Sequence, residues 1–149
     1  MDSCSDLTVW AARNRFAAYN GIRVTRVGPD GAEGELTVTE ESLNPMGLVH
    51  GGCLAALADT VCGTAVAARG RVGVTMDCRM DYLRPASGKT IKCAAAPRKV
   101  GRTVAVYSAE LTDDGGKTVA IGTFSFYLTG QTLPRFEGRM DRTARGEKC

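Results

Sequence analysis

Asn44-Pro-Met-Gly-Leu-Val-His-Gly-Gly-Cys-Leu-Ala-Ala-Leu-Ala-Asp-Thr-Val-Cys-Gly-Thr-Ala-Val66 is the stretch whose reading decides the fold. Asn44, Pro45 and Gly47 mark a loop. From Gly51 to Ala68 the chain is almost entirely Ala, Leu, Val, Cys and Thr, without proline. That run is too long for a strand, and too short and too polar for a membrane span. It predicts a buried helix starting near His50 to Gly52. At ~100° per residue, Leu54, Leu57, Ala58, Val61 and Ala65 share one face. Asp59 lies opposite, on a strip of small residues with Gly52, Ala56 and Gly63.

A carboxylate on such a strip has two readings. Burial without a partner is costly and raises its pKa, which suits a general base or nucleophile. Alternatively Asp59 sits at a wet helix edge or bonds a neighbouring turn. The Gly51-Gly52 pair is also double-edged. A helix N-terminus presents unpaired N–H groups with partial positive charge, and glycine lets a substrate carbonyl approach them. A tight packing contact would need the same residues. Gly51 and Asp59 are eight positions apart, about 12 Å along a helix at 1.5 Å per residue. One reacting bond cannot meet both on one helix, so the spacing predicts an isologous homodimer with two interfacial sites.

Asn44-Pro-Met-Gly-Leu-Val-His-Gly-Gly-Cys-Leu-Ala-Ala-Leu-Ala-Asp59 resembles the signature of hotdog-fold acyl-CoA thioesterases, the phenylacetate-pathway subgroup above all. Asn44, Gly47, His50, Gly51, Gly52 and Asp59 all match, and a looser likeness runs from Ala17 to Leu128. The resemblance implies an α+β chain, an antiparallel sheet wrapped around one long central helix. It implies hydrolysis of an aromatic or medium-chain acyl-CoA, with coenzyme A as part of the substrate and no other cofactor. The implied catalytic residues are Asp59, Gly51, His50 and Asn44, Asn44 orienting water and His50 supporting the carbonyl site. Gly52 is a second amide donor, and Thr75 matches a hydroxyl residue that in some relatives holds water near the carboxylate. Two dimers are expected to pair into a homotetramer. From the residues alone, Asn44 reads as an Asx turn, His50 as a helix cap and Thr75 as an ordinary strand residue. Rival functions are a non-catalytic acyl-CoA binder and a hotdog-fold enoyl-CoA hydratase or dehydratase with His50 as base.

Length and composition agree with this. A chain of 149 residues suits one domain. The formal charge of +3 is too mild to argue for nucleic acid. Among the six cysteines there is no C-x-x-C pair, and there is one histidine, which argues against zinc. Cys53 as a nucleophile lacks a nearby base. With no apolar signal core at the N-terminus, the expectation is a cytoplasmic, disulfide-free protein with no membrane contact.

In order, Asp6 to Tyr19 predicts an amphipathic helix capped by Ser5 or Asp6. Ile22–Val27 and Glu33–Val38 flank the Gly28-Pro29-Asp30-Gly31 turn as a hairpin. Val72 to Tyr82 alternates as one strand. Three more strands follow, at 89–97, 103–112 and 117–128. Arg98 to Arg102 is a basic turn, and Arg84, Arg98, Lys99 and Arg102 are candidates for coenzyme A phosphates. Residues 130–149 are expected to form a basic, flexible tail.

Overall fold

The computed structural model describes residues 3–133. Helices α1 (Ser3–Ala11) and α2 (Arg15–Tyr19) precede the hairpin of β1 (Ile22–Gly28) and β2 (Gly31–Thr37). A 3-10 turn at Glu40–Ser42 leads towards α3 (Gly51–Ala67), and β3 (Arg71–Tyr82), β4 (Thr90–Val100), β5 (Val104–Thr112) and β6 (Thr118–Thr132) complete the chain. The six strands form one antiparallel sheet in the order β1-β2-β4-β5-β6-β3. This is the predicted hairpin, helix and four strands, with β1 and β3 as the two free edges.

The core lies between the sheet and α3. Leu57, Ala58, Val61 and Cys62 of the helix meet Leu36, Ile91, Leu111 and Phe124 of the sheet, all fully buried. Burying each large apolar side chain contributes ~1.5–3 kcal/mol. Glycines bring the sheet close on both flanks of the helix. A Cβ on Gly34 of β2 would lie 2.6 Å from a Val61 methyl, and one on Gly73 of β3 would lie 2.8 Å from a Val66 methyl. The sheet therefore curls around α3 and leaves one strip of the helix uncovered.

The predicted N-terminal helix is two helices. Asn14 caps α2, its side chain accepting the Ala17 N–H at 3.0 Å, so its local hydrogen bond ends one helix and begins the next. Positions 5 and 6 lie inside α1, whose first residue is Ser3. Arg98 and Lys99 belong to β4, and the turn proper starts at Gly101. Gly130 to Thr132 continue β6, and the rest of the predicted tail, from residue 134, lies outside the described residues.

The alternation in β3 is broken. Thr75 pairs with Phe126 and Asp77 with Ser125, so Met76 is an extra residue in a β-bulge. Before it, Gly73 and Thr75 face α3; after it, Met80 and Tyr82 do.

Candidate active site

Helix α3 starts as the sequence predicts, with His50 as N-cap. The His50 N–H donates to the Ser42 carbonyl at 2.8 Å, tying the cap to the 3-10 turn. Its ring Nδ1 accepts the Gly52 N–H at 2.7 Å. An accepting Nδ1 assigns the proton of the neutral ring to Nε2, which is left as a donor at an exposed position. The Gly52 amide, expected as a second donor, is thus engaged by the His50 ring in this structure. The Gly51 N–H has no partner among the described residues. It is the donor that the positive end of the helix leaves open.

Asn44 holds the preceding loop. Its side-chain oxygen accepts the N–H groups of Met46 at 2.9 Å and Leu48 at 3.1 Å, and its backbone carbonyl accepts that of Gly47 at 2.9 Å. Gly47 has φ +75, the left-handed conformation this turn needs. The Asx-turn reading of Asn44 is thus observed directly.

One turn pair further along α3, Asp59 is half-buried and accepts a hydrogen bond from the Thr75 hydroxyl at 2.7 Å. One carboxylate oxygen is fixed by β3, which holds the side chain against the sheet edge and leaves the other oxygen uncommitted. Asp59 and Thr75 open into a cleft of about 440 Å³, roofed by Trp10, Arg13 and Phe16 and floored by Gly63, Gly73 and Phe126. Of the small-residue strip, Gly63 lies on the floor of this cleft, whereas Gly52 and Ala56 do not line it.

The structure brings some candidates together and separates others. Asn44, His50 and Gly51 cluster at the start of α3; Asp59 and Thr75 form a second cluster eight residues along the same helix. Arg84, Arg98, Lys99 and Arg102 are exposed, and none lines the Asp59 cleft. Arg98 instead lines a separate cavity with Glu33 and Glu110, and the Arg102 carbonyl accepts a hydrogen bond from Arg71. Burial pushes the Cys53 thiol up, away from thiolate character, which argues against a nucleophilic role. Among the described residues no group of three or more His, Cys, Asp or Glu side chains converges as a metal site. No described helix is long and apolar enough to cross a membrane.

Sequence reasoning missed Tyr82. Its hydroxyl donates to the Gly51 carbonyl at 3.1 Å. A Cβ on Gly51 would lie 3.3 Å from its ring, so the ring packs directly beside the open amide. Burial pushes the phenol up, keeping it a neutral donor. Strict alternation puts Thr75 and Tyr82 on opposite faces of β3; the bulge at Met76 turns both towards α3. Nothing in the spacing of the roof residues Trp10, Arg13 and Phe16 marks a cleft.

Residues 46–120 match the family described as the thioesterase superfamily. The acyl-coenzyme A thioesterase PaaI of Escherichia coli K12 is 33% identical over 114 residues, covering 76% of this chain and 81% of that protein. The structure of that PaaI, from the phenylacetic acid degradation operon, superposes with a TM-score of 0.79 at 30% identity, covering 87% of this chain and 98% of the other. Human acyl-coenzyme A thioesterase 13 is 34% identical over 121 residues, covering 78% of this chain and 86% of that protein. A hypothetical thioesterase protein from Streptococcus pneumoniae TIGR4, solved with coenzyme A, superposes with a TM-score of 0.77 at 25% identity, covering 85% and 99% of the two chains.

Proposed function

This chain belongs to the thioesterase superfamily and has its hotdog fold, and on that premise we propose that it is an acyl-CoA thioesterase, cleaving an aromatic or medium-chain acyl-CoA to free acid and coenzyme A. The observation that carries the reading is the division of one helix into two half-sites: an amide at Gly51 with no partner among the described residues, and a carboxylate at Asp59 oriented by Thr75 over a cleft.

The half-sites lie about 12 Å apart along α3, so a complete site takes Gly51 from one copy and Asp59 from the other. An antiparallel pairing of two α3 helices about a two-fold axis does this twice. The free edge of β3 supports that pairing. Val74 and Met76 on it are 55% and 58% exposed, and an unpaired edge with apolar side chains calls for a partner. Association of two such dimers into a tetramer is part of the proposal, as is a cytoplasmic location. The described cysteines Cys53, Cys62, Cys78 and Cys93 are all free, which fits a reducing compartment.

In the reaction the Gly51 N–H donates to the thioester oxygen, and the helix dipole favours the charge that develops there. The free Asp59 oxygen takes a proton from water as that water attacks the carbonyl carbon, or attacks the carbon itself to give an anhydride that water then opens. The tetrahedral centre collapses, the C–S bond breaks, and coenzyme A leaves as the thiolate, which gains the proton. The free Nδ2 of Asn44 orients the water, and the His50 Nε2–H supports the carbonyl side.

The test is thiol release from a panel of phenylacetyl, hydroxybenzoyl, short-chain and medium-chain acyl-CoA esters. Release is expected from one or more members. In Asp59→Asn, turnover is expected to fall at least about a hundred-fold with fold and oligomeric state retained. Silence across the panel from a folded oligomer would overturn the hydrolase reading, and near-normal turnover in the variant would remove Asp59 from the reaction.

A further inference from the structure

A second cavity adjoins the Asp59 cleft. It measures about 360 Å³ and lies between the α1–α2 elbow and the β1–β2 edge of the sheet. Ala11, Asn14 and Thr60 line both spaces and form the divide between them. Thr60 follows Asp59 on α3, so the divide stands one residue from the carboxylate. The two spaces together cross the uncovered strip of the helix, from the β3 edge to the β1 edge, under the roof of α1 and α2. Both are of the size of small-molecule sites, ~300–1,000 Å³.

The chambers differ in chemistry. The first holds Asp59, Arg13 and the aromatic rings of Trp10, Phe16 and Phe126. The second is lined by four alanines, Ile22 and Val24 together with Thr8, Asn14, Thr37 and Thr60, and its single charged residue, Arg23, is ion-paired with Glu35. It offers apolar surface and no uncommitted charge.

Resting on the acyl-CoA reading above, we propose that the second chamber is the tail half of one acyl channel, and that the preferred substrate carries a straight alkyl chain that passes the Ala11–Thr60 divide. A flexible polymethylene chain has the slim cross-section needed to thread past Ala11, Asn14 and Thr60. An aromatic acyl group ends in the first chamber and leaves the second unused. Each methylene taken into the second chamber is expected to raise affinity about four-fold.

Binding of non-hydrolysable alkyl-CoA thioethers tests this apart from turnover. The affinities of butyl- through dodecyl-CoA, with phenethyl-CoA as the aromatic reference, are measured by titration calorimetry on the full chain. Ala12→Phe and Ala18→Phe each plug the second chamber only; both positions are exposed and outside the catalytic groups. The expected result is a stepwise gain with length in the parent, a plateau at shorter chains in both variants, and unchanged phenethyl-CoA affinity in all three. A parent with no gain beyond butyl, or identical length profiles in parent and variants, would overturn the channel. A length-dependent gain without thiol release from the matching acyl-CoA would uphold the channel and overturn hydrolysis. Release from aromatic esters with a flat length profile would do the reverse.

Discussion

If each site draws Gly51 from one chain and Asp59 from its partner, two dead variants must rescue one another when mixed. The first variant is Asp59→Asn. The second is Gly51→Pro, chosen from the structure. Gly51 is the first residue of α3, where proline is tolerated because its missing N–H has no helical partner. His50 has φ −61 and ψ 134, the extended conformation that a residue before proline adopts. Proline thus deletes one N–H and leaves the helix intact. The added Cβ meets the Tyr82 ring at 3.3 Å, a close approach that a half-exposed ring relieves by shifting a few tenths of an ångström. Loss of an oxyanion donor costs about 100- to 1,000-fold in kcat. In a mixed dimer, one site carries both lesions and the other carries neither. Random reassociation of equal amounts makes half the dimers mixed, so thiol release should recover to about a quarter of the wild-type rate. Mixing is done by joint refolding and checked by mass spectrometry of differently tagged chains. If mixed dimers form and activity stays at the level of the inactive parents, the two half-sites do not act together across the interface.

Further expectations concern the residues around these two groups. Thr75→Val removes the hydroxyl that fixes Asp59 at 2.7 Å. A hydrogen bond to a charged group is worth ~1.5–3 kcal/mol, less at an exposed site, so kcat should fall about ten-fold with KM little changed; an unaltered kcat would make Thr75 a strand residue only. Tyr82→Phe keeps the ring under Gly51 and loses its bond to the carbonyl. It should lower kcat about three- to ten-fold and lower stability by no more than the ~1 kcal/mol of hydrogen bonding removed from the amide's support; a fall in melting temperature with kcat unchanged would point to packing alone. The buried thiols set an alkaline limit. Burial pushes the Cys93 thiol up from 9.0 to about 12, and Cys62 higher still. Above pH 9 the unfolded chain releases these protons while the folded chain keeps them, so stability is intact below pH 9 and falls as pH rises, by up to ~1.4 kcal/mol per pH unit per thiol. Urea unfolding at pH 8, 9 and 10 should show a shallower decline for Cys93→Ala than for the parent, and parallel declines would refute the assignment.

Most of the fold was legible because its signals are local. The Pro29-Asp30 turn, the apolar run of α3 and the Asp113–Gly116 turn each declare themselves within a few residues. The position of Asp59 was legible for the same reason, since helical periodicity alone sets it opposite Leu57 and Val61. What depended on non-local packing was not. Thr75 reaches Asp59 and Tyr82 reaches Gly51 only because one residue is inserted between them in β3, and alternation counted along the sequence gives no sign of it. The capture of the Gly52 amide by His50 depends on a ring rotamer, which no spacing rule specifies. Arg98 looked like a loop cation because Gly101 marks a turn; the strand persists beyond Pro97, and Arg98 is itself the extra residue of another bulge, between Pro97 and Lys99.

The extra residue at Met76 also bears on how this chain can change. Thr75 and Tyr82 are seven positions apart, an odd number, so an unbulged strand could serve only one end of the helix. A single deletion between them would turn one of the two side chains away while preserving every residue type and every apolar position. Point substitutions along β3 therefore explore the site gradually, whereas insertions and deletions there act as an all-or-none register change. An alignment that places its gap one or two residues from Met76 would match the right letters to the wrong face.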